Sequence, residues 1–257
     1  MIDPKVIRFV DCAVNFLIVL CFLPLLLYGL YAVWDSQQVY QNADSVVYET
    51  YKPSSKDDLT FEELQKINSE VFGWIQIYDT HIDYPLVRTT NNSKYVNTDA
   101  KGEFSLSGSI FLDCKNKKDF SDMNSILYRH NMEKKAMFGE LQSFAEEKYF
   151  EKHQYGGIFY GYKWHEIEFF AFLHADAYDS VIYNTAFQNT VDQEKYLSYI
   201  KQHADIFKEL SFDQDEHFIA LSTCTTTSTN GRHILVGRII DQASDKSFDR
   251  QRNSAGE

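Results

Sequence analysis

A long uncharged run near the N-terminus is the feature that most constrains how this chain folds. The 23 residues from Cys12 to Trp34 contain no charged side chain. About 20 apolar residues in a helix are enough to cross the hydrocarbon core of a bilayer, and Pro24 and Gly29 are tolerated inside such a helix. The run therefore predicts one transmembrane helix, within residues 1–34 that form a cytoplasmic stub and membrane anchor.

A cleaved signal peptide is the alternative explanation of the same run. A signal peptide has a shorter apolar region that ends in a small-x-small cleavage site, whereas here the bulky Trp34 stands before Asp35. An uncleaved anchor is therefore favoured. Lys5 and Arg8 precede the run, and basic residues accumulate on the cytoplasmic side of a span. We expect a single-pass plasma-membrane protein whose N-terminus is cytoplasmic and whose remaining chain is extracellular.

The remainder of the chain is predicted to contain a linker, one folded domain and a tail. Residues 35–58 are polar and predict a stalk, residues 59–241 predict the domain, and residues 242–257 predict a polar tail. Apolar residues make up 44% of the chain, enough for a sizeable core. The formal net charge of -12 argues against nucleic acid as a partner, because such partners select basic surfaces.

Strand patterns dominate the predicted domain. Short β-prone runs at 74–77, 82–87 and 109–112 are separated by turn residues, which favours an antiparallel sheet. Two further runs, 157–162 and 165–174, predict a hairpin that turns at Lys163-Trp164. The fold class is therefore mostly β with added helices.

Three segments predict the added helices. A Thr-x-x-Glu pattern at Thr60 and Glu63 predicts a capped helix that ends at Ile67. Apolar residues at helical spacing predict an amphipathic helix after residue 137, formed by Phe138, Leu141, Phe144, Ala145 and Tyr149. The same spacing predicts a longer helix from residue 192 to residue 210.

The most informative stretch for chemistry is a strand-like run that ends at Cys224, a polar loop, and a second run that begins with Arg232. If the two runs pair as antiparallel strands, the cysteine lies opposite the arginine. A nearby cation favours the thiolate and can hold a developing oxyanion. A small buried structural cysteine is an equally good explanation of this stretch taken alone.

His130 follows a short predicted strand, where a side chain can project from a fixed backbone. The chain has eight histidines, and pattern alone does not separate His130 from the others as a catalytic residue. Cys114 is the other cysteine outside the anchor and is able to form a disulfide with Cys224. A reactive Cys224 requires that this bridge be absent.

Several motifs in order resemble the sortases, the cell-surface cysteine transpeptidases of Gram-positive bacteria. They are Leu-Ser-Thr-Cys at 221–224 with Arg232 beyond it, and Leu-Tyr-Arg-His-Asn-Met at 127–132 followed by Met-Phe-Gly at 137–139. The segments at 72–75, 82–87 and 108–113 resemble those of class B sortases in particular. The resemblance runs from about residue 60 to residue 240.

The resemblance implies both a fold and a catalytic set. The implied fold is a closed sortase-like β-barrel of about eight strands, with an N-terminal helical segment and a long helix before the catalytic hairpin. It further implies that Cys224 is the nucleophile, His130 the general acid and base, and Arg232 the group that steadies the substrate carbonyl and the oxyanion. No metal or cofactor is expected.

The implied activity is cleavage of a C-terminal sorting signal after threonine, through a thioacyl enzyme, and transfer of the protein to an amine. The partners would be surface or pilin proteins that carry the signal, with a lipid-linked peptidoglycan precursor or a pilin lysine as acceptor. Two sequence departures, Arg129 and Thr225, concern residues near the expected cleft, so the preferred signal does not carry over from the family.

Five further residues are candidates for binding the peptide. The resemblance suggests Asn92 and Tyr128, for which a turn asparagine and a core tyrosine are the alternatives. Ser222, Thr223 and Thr225 adjoin the nucleophile and are expected beside the peptide.

Two other functions stay open at the level of sequence. A membrane-anchored cysteine peptidase would resolve the acyl enzyme with water instead of an amine. A non-catalytic accessory protein of pilus or surface assembly would need none of the reactive residues. Cys224, His130 and Arg232 are all present, which argues against the accessory protein.

Overall fold

A computed structural model of the protein describes residues 4–53, 59–129, 136–187, 189–214, 216–224 and 230–240. The chain divides into two units, residues 1–42 and 43–257. The first unit is helical: α1 (Pro4–Ala43) includes the whole predicted span and continues beyond it. Within the described residues, α1 is the one helix long and apolar enough to cross a membrane, from Ile7 to Gln38.

The second unit is built on a single sheet. Its described strands are β1 (Val71–Ile77), β2 (Asp83–Val87), β3 (Ile110–Leu112), β4 (Asn124–Arg129), β5 (Tyr155–Tyr160), β6 (Lys163–Asp176), β7 (Ile206–Phe207), β8 (His217–Cys224) and β9 (Gly231–Ile240). Its helices are α2 (Leu59–Ile67), α3 (Glu147–Lys152) and α4 (Thr190–His203), with 3₁₀ helices at Ser45–Tyr51, Lys94–Val96 and Phe138–Ala145.

The sheet closes on itself. Its strand order is β5-β1-β2-β3-β4-β8-β9-β6-β7, and β5 also pairs with β6. Eight strands therefore form a closed barrel, with β7 added at one edge. Closure confirms the barrel expected from the sequence. Because the ring is closed, few strand edges are exposed, and β7 is the described strand that lies outside the ring.

The antiparallel sheet predicted for the runs at 74–77, 82–87 and 109–112 is correct for β1 with β2 and wrong for β2 with β3. β2 and β3 are parallel, and so are β4 and β8. Local sequence pattern reports that a segment is a strand but not which strand lies beside it, and parallel neighbours need a long crossover connection. The crossover between β4 and β8 contains β5, β6, α4 and β7.

Alternate residues of β8 contribute to two apolar clusters. Ile219 and Leu221 pack in the large cluster with residues of β1 to β6. Phe218 and Ala220 belong to a second cluster, together with Tyr196 and Ile200 of α4. The period-two alternation of a strand explains this division. β8 is thus packed on both faces up to the residues that precede its end.

The predicted amphipathic helix after residue 137 is two shorter helices. A 3₁₀ helix covers Phe138–Ala145 and α3 covers Glu147–Lys152. Glu146, between them, has an extended backbone (φ -91°, ψ 120°). An extended residue cannot continue the helical hydrogen-bond series, so apolar spacing alone gave a wrong prediction of one continuous helix.

The predicted helix at 192–210 begins earlier and ends earlier. α4 covers Thr190–His203, and the extended Ala204 follows it. Ile206, expected on the helix, instead lies in β7 and pairs with Phe172 of β6. Pairing with a neighbouring strand has overridden local helical spacing at this point.

The predicted turn of the β5–β6 hairpin is displaced. Gly161 and Tyr162 both have positive φ, 57° and 60°, as a two-residue turn of the primed type requires. Lys163 and Trp164, predicted as the turn, are the first residues of β6.

Part of the predicted linker packs with the second unit. Asp44 caps the 3₁₀ helix Ser45–Tyr51, because its side chain accepts a hydrogen bond from the Val46 amide (3.1 Å). Within this helix, Tyr48 is buried. α2 begins at Leu59, so Thr60 lies within the helix rather than before it. The boundaries at residues 34, 58 and 241 stay predictions.

A buried ion network joins β6 to β9. Glu168 is only 6% exposed; its Oε1 contacts Lys208 Nζ at 2.8 Å and its Oε2 contacts Arg238 Nη2 at 2.7 Å. Burial opposes the charge on Glu168, but the hydrogen bonds from Lys208 and Arg238 outweigh it and lower the pKa of this carboxyl. Glu216 adds a second contact to Arg238, at 3.0 Å.

Candidate active site

The end of the β8–β9 hairpin carries the predicted cysteine and arginine. Eight residue pairs join the two antiparallel strands, and the last of these pairs Cys224 with Arg232. Arg232 donates from Nη1 to the carbonyl oxygen of Gly231 at 2.8 Å. The expected opposition of the cysteine and the arginine is therefore confirmed. Their catalytic roles stay predictions.

The parallel pairing of β4 with β8 fixes the direction of the neighbouring strand. The last pair between them joins Arg129 to Thr223. The next residues in the sequence are His130 on one side and Cys224 on the other. His130 itself, like Thr225, lies outside the described residues, so their predicted roles are untested by the geometry.

A cavity of about 290 Å³ lies at this end of β4, β8 and β9. Its lining consists of five predicted site residues, one residue that was expected near the cleft (Arg129), and two residues that were not predicted. These eight residues are Asn92, Val96, Phe111, Tyr128, Arg129, Ser222, Thr223 and Arg232. The fold thus brings four of the five peptide-binding candidates and Arg232 into one lining. Both polar and apolar side chains line it, as in ligand pockets.

Asn92 and Tyr128 share one carboxylate. Asn92 Nδ2 donates to Asp113 Oδ2 at 2.9 Å, and the Tyr128 hydroxyl donates to the same oxygen at 3.0 Å. The Cys114 amide donates to Asn92 Oδ1 at 2.8 Å. Both cavity-lining side chains are therefore held by residues that directly follow β3.

The Tyr128 hydroxyl keeps its proton. Burial raises the pKa of this phenol above its ordinary value, and the negative charge of Asp113 and the hydrogen bond to it raise it further. The ring contacts two others: that of Phe111, at 5.6 Å between centroids, and that of Tyr183, which is stacked at 6.0 Å. Tyr128 is therefore a fixed neutral phenol in the wall of the cavity.

Ser222 and Thr223 differ in their surroundings. The Ser222 hydroxyl lies 2.9 Å from that of Tyr183. Thr223 is 1% exposed, and its Oγ1 has no hydrogen-bond partner among the described residues. Adjacent residues of a strand point to opposite faces, so the two side chains make different contacts although both residues line the cavity.

Sequence reasoning did not identify Asp113 or Tyr183. Asp113 directly follows β3, and a carboxylate at a strand end near other polar candidates was a usable signal. Tyr183 lies in a segment without regular structure between β6 and α4, and no local pattern marked it. Phe111 and Val96 were also missed, because apolar lining residues are not distinguishable from core residues by type.

The described residues contain no group of three or more His, Cys, Asp or Glu side chains arranged to hold a metal ion. Cys114, near the cavity, is a free cysteine.

Comparisons with known proteins agree on one family. The chain is 33% identical to a sortase B of Listeria monocytogenes over 187 residues, which are 72% of this chain and 75% of that protein. It is 39% identical to a crystallised Streptococcus pyogenes class B sortase involved in pilus biogenesis, with a TM-score of 0.64 over 70% of this chain and 97% of that one.

A Staphylococcus aureus sortase B-substrate complex is similar over a longer stretch of the chain. It has a TM-score of 0.67 and 27% identity, and the match covers 81% of this chain and 94% of that one. No protein-family model matches the chain.

Proposed function

The chain belongs to the class B sortases, and we propose that it cleaves a C-terminal sorting signal after threonine and transfers the released protein to an amine. The observation that carries this proposal is the pairing of Cys224 with Arg232 at the end of the β8–β9 hairpin. A cavity lined by polar and aromatic side chains adjoins that pair.

The proposed first step is acylation. The Cys224 thiolate attacks the carbonyl carbon of the threonine, and Arg232 stabilises the negative charge that develops on the carbonyl oxygen. The C–N bond then breaks, His130 gives its proton to the departing amine, and a thioacyl enzyme remains.

Deacylation reverses the proton transfer. An amine attacks the thioester, His130 accepts its proton, and the C–S bond breaks to release the Cys224 thiolate and a new amide. The new amide bond replaces the one that was broken, so no external energy source is needed.

We propose that α1 anchors the enzyme in the plasma membrane with the barrel outside the cell. The span Ile7–Gln38 has the required length and composition. Lys5 precedes this span and Arg8 lies at its N-terminal end, the end at which basic residues mark the cytoplasmic side. The substrates are expected to be exported surface proteins or pilins. Tethering enzyme and substrate to one surface raises their effective concentration.

The acceptor is either the amine of a lipid-linked cell-wall precursor or the lysine of a pilin. The similar Streptococcus pyogenes enzyme is involved in pilus biogenesis, which supports a pilin lysine as the second possibility. Mass spectrometry of surface proteins from a strain that lacks this chain would distinguish the two acceptors. Fragments that join a surface protein to a cell-wall peptide would be lost in one case, and fragments that join a pilin to a pilin lysine in the other.

The test uses the full chain in detergent micelles. Internally quenched peptides with a fixed threonine and randomised flanking positions serve as substrates, and triglycine serves as the amine. We expect a triglycine-ligated product and a thioacyl adduct on Cys224, both absent in Cys224→Ala and His130→Ala.

Two outcomes contradict the proposal. Release of only the hydrolysed acid at saturating triglycine indicates a cysteine peptidase. Cleavage of no peptide, together with no labelling of Cys224 by a thiol-reactive peptide analogue, indicates an accessory protein without catalysis.

A further inference from the structure

Two residues that line the cavity, Asn92 and Tyr128, contact a carboxylate that has no part in the proposed proton transfers. Asp113 is 6% exposed and follows β3 directly. Its amide donates to the carbonyl of Ile126 in β4 at 2.9 Å, and its Oδ1 accepts from the Lys115 amide at 2.8 Å. The carboxylate is therefore fixed in position by main-chain contacts at both ends.

The other carboxylate oxygen of Asp113 accepts hydrogen bonds from two residues that line the cavity. Oδ2 accepts from Asn92 Nδ2 and from the Tyr128 hydroxyl. A hydrogen bond to an ionised acceptor is roughly twice as strong as a neutral one, and low solvent exposure strengthens it further. One side chain thus holds two others that line the cavity.

These contacts determine the orientation of the Asn92 amide. A carboxylate only accepts and a main-chain N–H only donates. The Asp113 carboxylate lies beside the Asn92 nitrogen, and the Cys114 N–H lies beside the Asn92 oxygen. In the reverse orientation the amide oxygen would face the carboxylate and the amide NH₂ would face the N–H, so neither hydrogen bond could form. One N–H of Asn92 and part of its oxygen remain for a ligand.

The same contacts determine the polarity of Tyr128. A phenol has one hydrogen to donate and can accept through its oxygen. Because the hydrogen is directed to Asp113, the phenol oxygen can only accept from a ligand in the cavity. A group of the ligand beside Tyr128 must therefore be a donor, such as a peptide N–H or a side-chain amide.

We propose that Asp113 is a positioning residue that makes Tyr128 a hydrogen-bond acceptor and fixes the Asn92 amide, so that the cavity selects a substrate with an N–H donor beside Tyr128. The proposal rests on the proposed peptide cleavage. It assigns Asp113 to substrate recognition and not to the chemistry at Cys224.

The variant that tests it is Asp113→Asn, which keeps the shape but removes the charge and adds a donor. We expect KM for the best-cleaved library peptide to rise about fivefold or more while kcat stays within about twofold, the signature of lost uniform binding. Asp119→Asn is the matched control, because Asp119 lies in the same loop, is exposed, and accepts from the Ser121 amide; it should leave KM unchanged.

Two further measurements exclude a merely structural effect. The rate of Cys224 alkylation by iodoacetamide should be equal in wild type and Asp113→Asn. Tyr128→Phe should raise KM on its own. The double variant should be no worse than the poorer single one, because Asp113→Asn and Tyr128→Phe abolish the same acceptor, the first by releasing the phenol hydrogen and the second by deleting the phenol oxygen.

The donor can be identified directly. Replacing one backbone N–H of the peptide at a time by an ester oxygen, or methylating a side-chain amide, should find one position whose loss raises KM for wild type but not for Tyr128→Phe.

An unchanged KM in Asp113→Asn, or fully additive effects with Tyr128→Phe, would overturn the positioning role while wild-type ligation continued to support the transpeptidase. Absence of ligation by wild type itself would instead refute the proposed function. If Asp113→Asn does not fold, the ester scan on wild type and Tyr128→Phe still decides the matter.

Discussion

Cys224 and Arg232 are directly opposed residues at the end of the antiparallel β8–β9 pair. The ladder behind them is continuous and packed on both faces, so the backbone of both residues is held by the sheet. Arg232, the proposed oxyanion-stabilising residue, therefore lies on a paired strand and not in a loop. Rigid placement is what makes electrostatic stabilisation of an oxyanion effective.

Replacing Arg232 by lysine should slow catalysis even though the charge is kept. Arginine presents a planar fork of donors, whereas lysine presents a single flexible ammonium, and loss of an oxyanion donor typically costs on the order of 10²-fold in kcat. Single-turnover acylation of the best library peptide would measure the effect. The melting temperature should be unchanged, and acylation at the wild-type rate in Arg232→Ala would rule out the role.

Replacing Thr223 by valine should leave stability equal or slightly higher. Its Oγ1 is buried without a partner among the described residues, and a buried unsatisfied hydroxyl costs about 1 kcal/mol or more. We expect urea unfolding to give a gain between zero and about 1 kcal/mol.

The same variant tests whether the Thr223 hydroxyl binds the peptide. An unchanged KM would mean that Thr223 contacts the peptide only through its main chain. A raised KM would mean that its hydroxyl binds the peptide. We expect no change, because the side chain is 1% exposed. Thr223→Ala is the control for lost volume and should be less stable than Thr223→Val.

Replacing Glu168 by glutamine should destabilise the barrel. The change leaves Lys208 and Arg238 without their shared carboxylate, and breaking a buried ion pair costs several kcal/mol, reduced here to about 2 kcal/mol because both cations are partly exposed. Glu209→Gln is the control: Glu209 pairs with Lys201 on the surface, and such pairs contribute little.

The Glu168 network also predicts a pH dependence. The pKa of Glu168 is lowered in the folded protein, so the unfolded state binds more protons between the folded value and the ordinary glutamate value of about 4.3. The stabilisation is complete above that ordinary value and is lost as the pH falls through the folded value. The melting temperature should fall less steeply between pH 7 and pH 3 for Glu168→Gln than for wild type. An equal fall in both proteins would contradict a lowered pKa of Glu168.

Replacing Gly108 by alanine should disturb the cavity wall. Gly108 has φ +55°, and a Cβ there would lie 2.3 Å from the Val96 carbonyl oxygen. Strained φ alone costs about 1 to 3 kcal/mol, and the overlap adds to it. Because Val96 lines the cavity, KM should rise as stability falls.

Gly102 supplies a matched control for Gly108. Its φ is +90°, but an added Cβ would meet no atom within 4 Å. Gly102→Ala should therefore show the conformational cost without a change in KM. Equal effects of the two substitutions on KM would show that the overlap of an added Cβ with the Val96 carbonyl oxygen is not what disturbs the cavity.

The sequence was sufficient for some features of the site because they depend on local periodicity. The opposition of Cys224 and Arg232 follows from two strands and a loop of known length. The adjacency of β4 and β8 was not predictable, because it depends on a crossover that local pattern does not report. The helix after residue 137 was mispredicted because apolar spacing does not reveal the extended Glu146.

The polar network of the cavity was only half visible in the sequence. Asn92 and Tyr128 were identified by family resemblance, whereas Asp113 became a candidate only when one carboxylate oxygen proved to accept from both. These two hydrogen bonds join residues from three separate segments of the chain, and no one of those segments has a sequence pattern that indicates them.

The parallel contact of Arg129 with Thr223 also bears on how the enzyme matures. The two residues are far apart in the chain, and such non-local pairings form slowly because a large loop must first be closed. β9, which supplies Arg232, is the last strand of the described chain to leave the ribosome. Cys224, Arg232 and the cavity lining therefore come together only when the barrel closes, and under the proposed function the cleavage of a sorting signal would report that folding is complete.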